Sequence, residues 1–213
     1  SGKNYYVDSS GRLHQVAEAG YIITSEHTHR ILQLISNYSI YALEDELRNG
    51  YITLKGGFRV GLAGQAVLNE GKIKTLKHIN SFNFRISREI KGVASRIMPF
   101  IVEKDEVMHT LIISSPGMGK TTLLRDIARQ LSDGFRSFKG VKVSIVDERS
   151  EIAGCYRGIP QNDIGYQTDV LDACPKAEGI MMVIRSMSPD VILTDEIGRL
   201  EDMLAIEEAL NGG

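Results

Sequence analysis

The chain has 213 residues, with 25 Lys and Arg against 27 Asp and Glu, a formal net charge of −2, and 42% hydrophobic residues. At roughly 100–200 residues per domain this allows one large domain or two small ones, with enough chain to bury a core without disulfides or a structural metal. The near-zero charge excludes a uniformly basic protein built to coat nucleic acid.

In chain order, residues 4–16 place two short strand-like runs around the turn cluster Asp8-Ser9-Ser10-Gly11 and predict a hairpin. Ile31, Leu34, Ile35 and Tyr38 then follow the i, i+3, i+4, i+7 spacing of one helix face, with Thr24 or Ser25 as N-cap and Glu26 in the first turn. A second short helix carries Ile40, Leu43 and Leu47 inward and stops at Gly50. From Tyr51 the period becomes two. Phe58, Val60 and Leu62 predict one strand with a buried face, and Phe82, Phe84 and Ile86 another; Asn69-Glu70-Gly71-Lys72 is a hairpin turn between them.

The segment 71–96 holds Lys72, Lys74, Lys77, Arg85, Arg88, Lys91 and Arg96 against only Glu89, seven minus one or +6, the one charge asymmetry of the chain. The pattern loosens from Pro99 to Val107. This predicts a boundary near 104, with a smaller α+β domain over 1–104 and a second domain over 105–213. The second part reads strand, glycine loop, helix, strand, helix, strand, helix, the alternation of an α/β domain with a parallel sheet. Within it, Met181, Met182 and Met187 lie on a helix begun at Pro175 and read as core.

Cys155 and Cys174 are too few and too far apart for a disulfide framework or a C-x-x-C clamp, and read as buried reduced thiols. His27 and His29, two apart on a helix, do not share a face and make a poor metal pair. No apolar run approaches the roughly 20 residues of a spanning helix. The first residues have neither the charged nor the apolar region of a secretion signal, which predicts a cytoplasmic protein.

The strongest signal is a strand, His109–Ile113, running into Ser114-Ser115-Pro116-Gly117-Met118-Gly119-Lys120-Thr121-Thr122 and a helix with Leu123, Leu124, Ile127 and Leu131 inward. Successive N–H groups of such a loop curl around phosphate, and the helix N-terminus adds roughly half a positive charge. Lys120 is placed to neutralise the β/γ oxygens, and Thr121 to bring a hydroxyl to Mg²⁺. Ser114 stands where the G-x-x-x-x-G-K-[ST] pattern begins with glycine, which is tolerable if its φ stays negative.

Two apolar runs end in Asp-Glu: VKVSIVDERSE at 141–151 and DVILTDEIGR at 190–199. Carboxylates at the C-terminal ends of parallel strands point into the ligand crevice. In hydrolases with an extra central strand, the strand after the loop helix is peripheral and the next lies near the loop. That gives Asp195 the metal shell and Glu196 the attacking water, with Asp147, Glu148 and Glu151 as a second acidic edge.

The runs VSIVDERSEIAG, TDVLDACPKAEGIMMVIRSMSPDVILTDEIGRLED, YALEDELRNGYITLKGGFRVGLAG and INSFNFRISRE resemble the stage III sporulation protein AA family of spore-forming Firmicutes. That family is similar to the hexameric ATPases of type II and type IV secretion and of pilus retraction. The resemblance implies a RecA-like P-loop fold of the extra-strand branch, with ATP and Mg²⁺ as cofactors. It matches an acidic box to Asp147, Glu148 and Glu151, and the run around the catalytic glutamate to Arg185, Pro189, Asp190, Glu196 and, one residue offset, Arg199. Gln167 stands where the family has Arg. The family's histidine box lies on a strand beyond ALNGG, in the middle of the sheet, so the residues to 213 are expected to form a fragment of a longer protein.

The resemblance further implies a ring, six subunits in the wider group, docked on membrane proteins of the stage III channel from the mother-cell cytoplasm. Its work there is to energise secretion-like transport between mother cell and forespore. Arg59, Arg85 and Arg88 are candidates to reach a neighbour's nucleotide. Phe82 and Phe84 among the basic residues also fit a nucleic-acid surface, but sharing a face with Ile86 reads as core, and no nucleic-acid partner is expected. Two other functions stay open: a nucleic-acid-stimulated translocase, and an assembly scaffold gated by nucleotide without hydrolysis.

Overall fold

Thr24 sets the first long helix. Its hydroxyl accepts the N–H of His27 while the His27 ring accepts the Thr24 N–H, so two donors that a helix start leaves orphaned are satisfied reciprocally. The computed structural model describes residues 5–7, 12–16, 23–36, 43–86 and 89–211, which form two compact units. One unit holds the chain to Leu54 and Arg59–Arg85; the other holds Lys55–Phe58 and the chain from Ile86. Residues 86–104, which the loosened pattern assigns to the first domain, lie with the second unit.

In the first unit, β1 (Tyr5–Val7) and β2 (Leu13–Gln15) pair antiparallel; the turn between them lies outside the described residues. Helix α1 (Ser25–Ile35) buries Thr28 and Leu32, whereas Leu34 is exposed, so the inward face is one position off the expected one; Tyr38 lies outside the described residues. Helix α2 (Glu44–Asn49) buries Leu47 and stops at Gly50, whose φ of 76° supplies the left-handed cap; Ile40 is likewise not described. Strands β3 (Tyr51–Leu54), β4 (Phe58–Asn69) and β5 (Lys72–Arg85) make a sheet in that order, with both helices against β5. The β4–β5 turn is Glu70-Gly71 with φ of 50° and 76°, the positive pair that a two-residue hairpin needs.

The β4–β5 register shifts between Ala63 and Gln65. A Cβ on the intervening Gly64 would sit 2.6 Å from the Lys77 carbonyl oxygen, so this bulge requires glycine. Val60 is fully buried, but Phe84 is 53% and Ile86 75% exposed, which corrects the reading of that alternation as a core face. The helices cover one part of the ladder only, and alternation alone does not say where cover ends.

In the second unit, α3 (Met98–Ile101) leads into a small hairpin of β6 (Val102–Glu103) and β7 (Glu106–Val107). Helix α4 (Lys120–Asp133) follows the glycine loop. Next come β8 (Val143–Asp147), β9 (Thr168–Asp172), α5 (Lys176–Met187), β10 (Val191–Thr194) and α6 (Leu200–Asn211). The three strands form a parallel sheet in the order β10-β8-β9. Every residue of β8 is buried. Val143 and Ile145 pack with Ile127, Ala128 and Leu131 of α4, and Val146 with Ile180, Val183 and Ala205 of α5 and α6, so helices cover both faces, as parallel sheets require.

Two expectations change. The strand after the loop helix is not peripheral: β8 is the middle strand of this sheet, because Thr168–Asp172 adds a strand outside it. Residues 109–113 form no strand among the described residues; Leu111 and Ile113 are 69% and 85% exposed, and only Ile112 packs against the core. A strand needs a ladder partner, and the described strands place none beside this segment.

Candidate functional site

The loop before α4 takes the expected shape. Gly117 and Gly119 have φ of 76° and 87°, Ser114 is not among the positive-φ residues, and Gly119 is the N-cap of α4. A Cβ on either glycine would meet nothing within 4 Å, so their role is conformational. Lys120 Nζ folds back and donates to the carbonyl oxygens of Ser114 at 2.8 Å and Ser115 at 3.2 Å, with Ser114 Oγ at 3.4 Å. Ser115, Pro116, Met118 and both glycines are exposed, while Thr121 and Thr122 are half-buried at the helix start.

Arg125 lies one helical turn, about 6 Å, beyond Thr121 on the same face. It is buried and donates from Nε to the Ile152 carbonyl at 2.6 Å and from a terminal nitrogen to that of Glu151 at 2.8 Å. The start of α4 is therefore held at the C-terminal end of β8. Burial lowers the Arg125 pKa from its ordinary value, although Glu89 and Asp147 pull the other way.

Asp147, the last residue of β8, is fully buried and accepts three backbone N–H groups, from Glu151 at 2.9 Å, Ile152 at 2.9 Å and Ala153 at 3.0 Å. Burial raises its pKa despite those bonds. Its oxygens organise the 148–153 loop, so the expected acidic edge reduces to Glu148 and Glu151. Nearby, Ser150 Oγ donates to Asp172 at 2.6 Å, and burial beside Asp172 and Asp147 pushes the Cys155 thiol up to about 12. Both cysteines are free, Cys155 buried and Cys174 partly so.

Glu148 and Asp195 directly follow the adjacent strands β8 and β10 and meet through a residue the sequence reading misses. Lys176, the first residue of α5 and 6% exposed, bonds Glu148 Oε2 and lies 3.2 Å from Asp195 Oδ1. Burial alone would lower the Lys176 pKa, but the two carboxylates outweigh it and raise it; burial raises that of Asp195 against the pull of Lys176. Asp195 Oδ1 is buried with no partner in hydrogen-bond geometry. A cation opening a helix opposes the helix dipole, and that misfit at Pro175-Lys176 is the sequence signal for carboxylates nearby. Glu196 is exposed and pairs with Arg149 at 3.5 Å.

The remaining candidates sit elsewhere. Gln167 precedes β9 at its N-terminal end, opposite the strand ends that carry Asp147 and Asp195, and donates its amide to the Ser132 carbonyl at 2.8 Å. Lys91 pairs with Asp163, which also donates its N–H to Glu89, so part of the basic segment is neutralised within its own unit. In the first unit Arg59 stacks 3.5 Å over the Tyr51 ring and is the cross-strand partner of Arg85; Arg88 lies outside the described residues. His27 caps α1. No group of three His, Cys, Asp or Glu able to hold a metal exists among the described residues.

A glycine loop opening a helix beside a parallel sheet covered on both faces defines an α/β fold of the P-loop type. The same fold is found in the X-ray structure of the Legionella pneumophila ATPase DotB, with a TM-score of 0.52 and 19% identity over 94% of this chain and 55% of that one. Residues 6–213 match the family described as sporulation stage III, protein AA. Stage III sporulation protein AA of Bacillus subtilis (strain 168) is 54% identical over 202 residues, 95% of this chain and 66% of that protein. Protein SEEDLING PLASTID DEVELOPMENT 1 of Arabidopsis thaliana is 34% identical over 123 residues, 57% of this chain and 17% of that one. The chain belongs to the stage III sporulation protein AA family, and it spans 66% of the length of the Bacillus relative.

Proposed function

We propose that this chain is the nucleotide-handling part of a Mg²⁺-dependent ATPase, of the extra-strand branch with a smaller α+β domain ahead of it, that converts ATP and water to ADP and phosphate. The observation that carries the reading is Lys120 folded across the carbonyls of its own loop, where the two positive-φ glycines open α4. Those carbonyls stand in for phosphate oxygens, the partners an ammonium at a helix N-terminus is suited to hold.

The loop N–H groups from Ser115 to Thr122 bind the phosphates, and Lys120 neutralises the β/γ oxygens. Thr121 and Asp195 suit Mg²⁺, which takes one or two protein oxygens beside the phosphates and needs no all-protein cage. Asp195 Oδ1, buried and held only by the Lys176 ammonium at 3.2 Å, is such an oxygen. Bound there, Mg²⁺ supplies neutralisation of the transferring phosphoryl group. Glu196, released from Arg149, orients the attacking water and takes its proton, and Glu148 supports the same edge. By family resemblance the subunits form a ring, of six in the wider group. It docks on membrane proteins of the stage III channel from the mother-cell cytoplasm and energises transport toward the forespore.

The test is phosphate release by the full-length protein beside Glu196→Gln over a concentration series. A fall of about 10²-fold or more in the variant, with a rate per subunit that rises with concentration, supports shared hydrolytic sites. Equal rates count against hydrolysis at Glu196. Function retained in Glu196→Gln but lost in Lys120→Ala marks the nucleotide-gated scaffold instead. A second reading, a nucleic-acid-stimulated ATPase, is favoured by the half-exposed Phe84 ring 6.4 Å from Phe82. It requires single-stranded or duplex DNA to raise hydrolysis with a steep salt dependence.

A further inference from the structure

Lys176 is a buried cation at the first residue of α5, paired with carboxylates from two strand ends. A buried ion cluster of this kind is often no more stabilising than apolar residues of similar volume. Yet the residue after β8, the first residue of α5 and the residue after β10 converge to build one. Lys176 is 6% and the Asp195 side chain 9% exposed, and Asp195 Oδ1, 3.2 Å from the ammonium, has no partner in hydrogen-bond geometry. One ammonium against two carboxylates leaves a single unbalanced negative charge at the strand ends.

We propose that Lys176 is a positioning residue that acts as the site's resident cation: it holds Glu148 and Asp195 in place and excludes a free divalent ion until a nucleotide arrives. A divalent ion approaching Asp195 Oδ1 meets the like charge of the Lys176 ammonium 3.2 Å away, which the pairing with Glu148 offsets only in part. A triphosphate brings several negative oxygens of its own, which outweigh that repulsion and draw the ion in. Metal entry thereby becomes conditional on nucleotide. The inference rests on the nucleotide-site reading above and adds an order of binding to it.

The experiment uses the full-length protein, Mn²⁺ as a paramagnetic probe, and a non-hydrolysable ATP analogue. Wild type binds Mn²⁺ weakly alone and at least 10-fold more tightly with the analogue. Lys176→Met, which removes the like charge beside Asp195, binds Mn²⁺ alone on the order of 10-fold more tightly than wild type, so the analogue adds little. Lys176→Arg, which keeps the charge, restores the dependence on nucleotide. Because Lys176→Met leaves Glu148 unpaired, Lys176→Met with Glu148→Gln is measured beside it, and it too binds Mn²⁺ alone more tightly than wild type. Analogue binding with Mn²⁺ affinity unchanged in the Lys176→Met variants overturns the inference and leaves the nucleotide site standing. No analogue binding by wild type overturns the nucleotide reading, and this inference with it.

Discussion

Asp147 commits both carboxylate oxygens to the backbone of residues 151–153, and Arg125 takes two carbonyls of the same loop. Asp147→Ala leaves three donors without that acceptor and is expected to lower unfolding free energy by about 3 kcal/mol, read from urea denaturation. Combined with Arg125→Met the loss is less than the sum of the two, because both residues hold one loop. Lys120 bonds only exposed oxygens of Ser114 and Ser115, so Lys120→Ala should keep stability within about 0.5 kcal/mol while abolishing nucleotide binding, measured with a fluorescent analogue. The two Asp-Glu strand ends look alike in sequence. What separates their aspartates is that Asp147 meets three backbone N–H groups of the following turn, whereas Asp195 meets Lys176 of α5.

At the scale of elements, α4 is tied to the segment before it through Asp126. That buried carboxylate accepts the Ala94 N–H at 2.8 Å, the Gln130 amide at 2.8 Å and the Arg129 guanidinium at 2.7 Å. Burial pushes its pKa up, but the bonds from Ala94, Arg129, Gly92 and Gln130 prevail and hold it below the ordinary carboxylate value. The stability it contributes is therefore present above the unfolded value of about 3.9 and is lost as pH falls through the lower folded value. Wild type should exceed Asp126→Asn by roughly 1–3 kcal/mol at pH 7. Thermal melts from pH 7 to pH 2 should show that gap closing below about pH 4.

Elements that depend on their own residues were legible in sequence: α4 from its apolar spacing, the Glu70-Gly71 turn from its glycine, the start of α1 from the hydroxyls of Thr24 and Ser25, of which Thr24 is the cap. Elements that depend on partners were not. Residues 109–113 have strand chemistry but no ladder among the described residues, and Thr168–Asp172 carries only Val170 and Leu171 as signal. The inward face of α1 shifted because Thr28 is buried where an apolar residue would have announced itself.

Across the whole molecule, the second unit exposes apolar side chains on α6, Met203 and Leu204 among them. Replacing both with Glu removes little packing, so the melting free energy should change by no more than about 0.5 kcal/mol per site while binding of a hydrophobic dye falls. No helix among the described residues is long and apolar enough to cross a membrane. The order β10-β8-β9 also dictates a timetable during synthesis. Val143–Val146 leaves the ribosome 48 residues ahead of its partners in β10, the mate for one of its edges, an interval of about 2–10 s at ~5–20 residues per second. For those seconds one edge of a strand carrying Val143, Ile145 and Val146 has no mate, and an unpaired apolar edge of this kind is a template for aggregation of the newborn chain.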